Sequence, residues 1–142
     1  MKRRLIALTL AAVLGAAGAA EPAGDALFHA LGGRAGLERL AADFVDRANA
    51  DARVGPAFDG VNRKHLSRQI ADHFCQLTGG PCVYDGGNMK DAHGETRIDK
   101  GDFYRVVELL QDAMDHQGLP FAVQNRLLAL LAPMHRDIIN AP

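Results

Sequence analysis

Gly79 to His93 reads GGPCVYDGGNMKDAH, a stretch that holds four of the chain's 15 glycines, one of its two cysteines and one of its six histidines. So much glycine breaks a long helix, and only Asn88 to His93 has the composition for a turn or two. The segments on either side read as amphipathic helices. Upstream, Asn62 fits an N-cap. Leu66, Ile70, Phe74 and Leu77 then recur on one narrow face until Gly79-Gly80-Pro81 ends the pattern. Downstream, Asp99 and Asp102 make an acidic variant of the capping box, with negative charge where a helix N-terminus favours it. Phe103, Val106, Val107, Leu110 and Met114 follow as a periodic face that stops before Gly118.

The same periodicity extends to both ends of the chain. Asp25 is expected to cap a short helix running to Leu31, stopped by Gly32-Gly33. From Leu37, the residues Leu40, Ala41, Phe44, Val45 and Ala48 predict a second helix of about fourteen residues. Asn49 to Asp59 contains Gly55-Pro56 and has room for one helical turn at most, which sets Phe58 at a corner. Pro120 suits the first turn of a last helix over Phe121 to Ile139, in which Pro133 predicts a kink. No strand-like alternation of useful length occurs, so the expected fold is an all-α domain of roughly five or six helices.

Met1-Lys2-Arg3-Arg4, the apolar run Leu5 to Leu14 and the small residues Gly15 to Ala20 have the three-part pattern of a secretory signal. The apolar run is short for a bilayer span, which needs about 20 residues. Residues 1–20 are therefore expected to be a cleaved signal peptide and residues 21–142 the mature domain, exported and periplasmic, with no membrane attachment after cleavage. Losing Lys2, Arg3 and Arg4 takes the basic count from 16 to 13 against 17 acids, and the formal charge from −1 to −4. That balance gives no footprint for nucleic acid. In an oxidising compartment Cys75 and Cys82 are expected to pair, two unpaired thiols being the alternative. Neither a CxxC redox pair nor a CxxCH haem-attachment motif is present.

No two of His29, His65, His73, His93, His116 and His135 form an HxxxH or HExxH pair, so the sequence offers no local zinc site. A single imidazole suffices for haem iron, because the porphyrin supplies four nitrogens. Taken alone, a lone histidine is more often a surface residue than a ligand.

What singles out His93 is a resemblance that covers nearly all of the mature chain. LFHALGG (27–33), Phe44, Phe58 before Asp59-Gly60, GGP (79–81), YDGGNMKDAH (84–93), Ile98 and Phe103 resemble, in order and spacing, the truncated haemoglobins of group I. LLALLAPMHRDI resembles that family's last helix, internal proline included. The resemblance implies a two-over-two helical sandwich around non-covalent haem b, with His93 on the proximal iron ligand. Phe58 falls on the aromatic that packs on the porphyrin face. Tyr84, Met89 and Phe103 fall on the proximal or edge side, and Leu66, Ile70 and Phe74 on the distal helix. Lys64, Arg68 and Lys90 are candidate partners for the haem propionates by placement.

The distal side departs from the family. Val45 stands where group I members usually carry a tyrosine, and Ile70 where they often carry a glutamine. Those side chains donate hydrogen bonds to oxygen, so their replacement implies weaker oxygen retention and a pocket better suited to NO or CO. Gln69 is next to Ile70 and could swing in. His65 and His73 are expected on the surface. The implied function is binding of a diatomic gas (O2, NO or CO) at a histidine-ligated iron, in oxygen binding or nitric oxide handling, with an unknown reductant. The alternatives are a haem redox enzyme, either NO dioxygenase or peroxidase-like, and an electron-transfer or redox-sensing protein that uses haem and the cysteine pair.

Overall fold

A computed structural model describes residues 24–142; the expected signal peptide, residues 1–20, lies outside the described residues. These form seven α-helices and two 3₁₀ turns, with no strand among them. The helices are α1 (Ala26–Ala30), α2 (Gly33–Ala50), α3 (Arg63–Leu77), α4 (Met89–His93), α5 (Lys100–His116), α6 (Phe121–Leu131) and α7 (His135–Ile138). The 3₁₀ turns are Gly55–Phe58, which brings Phe58 to the corner before α3, and Ala132–Met134.

Several helix ends follow directly from the sequence. Asn62 caps α3 by accepting a bond from the His65 N–H at 3.0 Å. At α5 the capping box is complete: Asp99 accepts from the Asp102 N–H at 2.9 Å and Asp102 accepts from the Asp99 N–H at 3.0 Å. Asp25 precedes α1 but does not cap it; its carboxylate accepts from His29 Nε2 at 3.0 Å instead. α2 begins at Gly33, four positions before Leu37, because Gly32 and Gly33 take positive φ (87° and 64°) and turn the chain straight from α1 into α2. At Pro133 the path tightens into the 3₁₀ turn before α7, where a bend inside one continuous helix was expected. A proline ring removes one helical N–H and crowds the carbonyl four residues back, and the tighter turn accommodates both.

α2 packs against both α3 and α5, and α3 and α5 face one another across a cleft. α6 packs against α1. The dry core lies at the α1–α2 side, where Leu31, Leu37, Leu40, Val45, Met114 and Leu127 are fully buried. Each such side chain contributes about 1.5–3 kcal/mol of burial. α4, by contrast, buries none of its residues. Cys75, at the buried end of α3, is bonded to Cys82 with 5.7 Å between Cα atoms. The turn between them needs a glycine at 79: φ is +87° there, and an added Cβ would run into the Gly24 carbonyl. Among the described residues no helix is long and apolar enough to cross a membrane.

Candidate functional site

Two adjoining cavities, of 390 Å³ and 590 Å³, lie between α3 and α5. Phe44, Ile70, His93, Phe103, Val106 and Ile138 line both, so the two form one apolar cleft. The helical period places its walls. Leu66, Ile70 and Phe74 stand one turn apart on α3, and Phe103 and Val106 one turn apart on α5. Phe58 closes the second cavity from its 3₁₀ turn. Tyr84 and Met89 border the first.

His93 ends α4 with a defined ring orientation. Its Nδ1 donates to the Met89 carbonyl at 2.7 Å, one turn back on the same helix. The carbonyl can only accept, so Nδ1 carries a proton, and in the neutral ring Nε2 is then the nitrogen with the free lone pair. α4 is started by Asn88, whose side chain accepts from the Asp91 N–H at 2.9 Å. Among the described residues no group of three or more His, Cys, Asp or Glu side chains could hold a metal ion. A metal at His93 would therefore bring most of its ligands with it.

Eight of the nine residues assigned to the cleft from sequence, Phe58, Leu66, Ile70, Phe74, Tyr84, Met89, His93 and Phe103, line it. Val45 does not; it is 1% exposed in the dry core, and its neighbour Phe44 faces the cleft. Lys64, Arg68 and Lys90 line neither cavity. Arg53 and Arg97 do, at the second one. Arg53 is occupied by Asp99 at 2.9 Å and Asp102 at 2.8 Å, whereas Arg97 is in no ion pair among the described residues. His65 is exposed as expected, but His73 is not a surface residue. It is half-buried at the first cavity, its ring 4.6 Å from that of Tyr84, and burial pushes its pKa down so that it stays neutral. The Tyr84 hydroxyl donates to the Gly87 carbonyl at 2.9 Å; burial and then Asp85 push its pKa up.

Gln69 also borders the first cavity. Its Nε2 donates to Asp85 at 3.3 Å, while its Oε1 is buried with no partner. The carboxylate fixes the sense of the amide, because the reverse orientation would set two acceptors against each other. Sequence periodicity does not single out Ile138 or Arg97. The first lies beyond the Pro133 break, and the second stands in a loop where position along the chain gives no direction.

An apolar cleft between packed helices, with an oriented imidazole at one wall, is the arrangement of a globin-type cofactor protein. The bacterial-like globin family model matches residues 26–140. The chain is 31% identical over 114 residues to the "Group 1 truncated hemoglobin" of Tetrahymena thermophila, which covers 80% of this chain and 94% of that one. It is 30% identical to the corresponding protein of Synechocystis, with 80% and 97% covered. The crystal structure of Tetrahymena pyriformis truncated hemoglobin in its Fe(III) form superimposes with a TM-score of 0.77 at 26% identity, covering 80% of this chain and 97% of that one. The chain belongs to the bacterial-like globin family and, within it, to the group 1 truncated haemoglobins. Membership brings the two-over-two globin fold, non-covalently bound haem and haem-based gas binding. The cleft fits haem: its volume is in the range of small-ligand sites, its lining is largely apolar, and the His93 ring at one wall has Nε2 free of any protein partner among the described residues.

Proposed function

We propose that His93 binds haem iron through Nε2 and that the protein handles a small, weakly polar gas, NO or CO in preference to O2, in the periplasm. The observation that carries the assignment is the 2.7 Å bond from Nδ1 to the Met89 carbonyl, which orients the ring and leaves Nε2 free. Haem, when bound, supplies an iron centre with a coordination position for the gas. The protein's own part is to exclude water, orient the imidazole and set the polarity around the gas. Leu66 and Ile70 bring no N–H or O–H to the cleft, Val45 is withdrawn into the core, and Gln69 presents an acceptor. Oxygen depends on a donor far more than NO or CO does, so this lining favours the latter two. Leu66, Ile70 and Val45 provide no distal acid or base, which weighs against peroxidase-like turnover; His73 is the one other imidazole in the lining among the described residues. Arg97 is the cation best placed to meet a propionate. The disulfide supports an oxidising compartment.

The test is the absorption spectrum of the ferric, ferrous and CO forms of wild type and His93→Ala. The wild type is expected to show a haem spectrum with a histidine-ligated ferrous form, lost in the variant. Retained haem with an unchanged signature in His93→Ala would sink the assignment.

A further inference from the structure

α4 holds the proposed iron ligand, yet none of its residues is fully buried: Met89 and His93 are half-buried at the cleft, and the helix packs on α7. What holds its C-terminal end is polar and comes from the far end of the chain. Asn140 Nδ2 donates to the His93 carbonyl at 2.9 Å and to the Thr96 carbonyl at 2.7 Å. Its Oδ1 accepts from the Ile98 N–H at 2.9 Å. The backbone N–H groups of Asn140 and Ala141 both donate to the Ile98 carbonyl at 3.0 Å. Both side-chain N–H bonds and the amide oxygen are thus committed to one six-residue segment, 93–98, although the residue itself is exposed. One of its partners is the carbonyl of the ligand residue. Two positions earlier, Ile138 lines both halves of the cleft.

We infer that Asn140 is a positioning residue for the iron ligand: it caps the open end of α4 and fixes the position and orientation of the His93 ring at the cleft. The His93 carbonyl also accepts the Thr96 N–H at 3.0 Å, but that bond is local to the turn, and without Asn140 the helix end would move with the 94–98 loop. Small displacements of a ligating imidazole would change the strength of its bond to a metal, so the residue would bear on haem retention and gas affinity without touching either. The inference rests on His93 being the ligand, and the experiment separates the two.

The iron–histidine stretching band of the ferrous haem-loaded protein is recorded by resonance Raman for wild type, Asn140→Ala, Asn140→Asp and His93→Gly. Haem transfer to excess apomyoglobin and amide exchange at Ile98 are measured alongside. Asn140→Asp keeps the shape and the acceptor but turns an oxygen toward two carbonyls, so a space-filling role predicts wild-type behaviour and a donor role predicts a defect. The expected result in both Asn140 variants is a shifted or broadened band and haem loss faster by about threefold to tenfold, the scale of two or three exposed hydrogen bonds, with Ile98 protection lost in Asn140→Ala and kept in Asn140→Asp, which retains the acceptor. Gln124→Ala is the control. It removes the buried bonds to Asp115 and the Leu119 carbonyl, and it should lower the melting temperature with the band unmoved. An unshifted band and unchanged haem loss in the Asn140 variants would overturn the inference, whatever their stability. A wild-type band in His93→Gly would instead overturn the ligand assignment. Should Asn140→Ala not fold, Asn140→Ser is read by the same criteria.

Discussion

At the scale of single residues, polarity in the cleft is set by a few side chains whose partners are already chosen. Ile70 borders both cavities and offers no donor. Replacing it with glutamine should supply one; a neutral hydrogen bond is worth about 1 kcal/mol, so oxygen dissociation measured by stopped flow should slow by roughly fivefold to tenfold. An unchanged rate would mean that the gas is already served by another donor. Gln69 is the only side chain among the described residues with a buried polar atom left unpaired. Gln69→Leu discards that orphan together with a long exposed bond to Asp85. Its unfolding free energy in urea should therefore stay within about 1 kcal/mol of wild type. The sequence motif leads to His93, Tyr84 and Met89 because their spacing is local to one turn and one short helix. It does not lead to Val45's withdrawal or to His73 lying beside Tyr84. Both depend on the rotation of a helix about its own axis, and a one-residue shift on a helix swings a side chain by about 100°.

At the scale of elements, caps and cross-links carry the predictions. Asn62→Ala removes the cap of α3 and should cost about 1 kcal/mol, a lowering of the melting temperature by a few degrees, while Asn62→Asp should be nearly neutral. Reducing Cys75–Cys82 releases the loop between α3 and the segment leading to α4. The chain-entropy scale for so short a loop is about 2.5 kcal/mol. Denaturant unfolding with and without a reductant reads this directly, and equal midpoints would show that packing alone holds the turn. The capping box at Asp99 and Asp102 is legible from sequence because it is a two-residue chemical pattern. The start of α2 at Gly33 and the 3₁₀ turn at Ala132–Met134 are not, since each depends on where neighbouring helices leave room.

At the scale of the whole molecule, the core around α1 and α2 adjoins the cleft through Phe44 and Phe74 but extends beyond it, with Leu31, Leu37 and Leu40 lining neither cavity. Removing haem should leave much of the helix content in place while loosening α4, which has no buried residue to hold it. The haem-free protein is expected to melt at a lower temperature and to bind an apolar dye more strongly. Acid should also weaken the fold. The Asp51 carboxyl is held below its ordinary range by the Val54 N–H and by Arg105, and Asp99 by the Asp102 N–H. Groups with a lowered folded-state pKa stabilise above their ordinary value near pH 4, and that stability is lost as pH falls through the lowered value. Asp51→Asn should accordingly flatten the decline of melting temperature below about pH 4 relative to wild type. All of this surrounds one claim, that a single imidazole joins the chain to its haem. Its most direct test is His93→Gly purified with and without imidazole. The account predicts that haem is held with a histidine-like ferrous spectrum only when free imidazole fills the gap. The same spectrum without imidazole would contradict it.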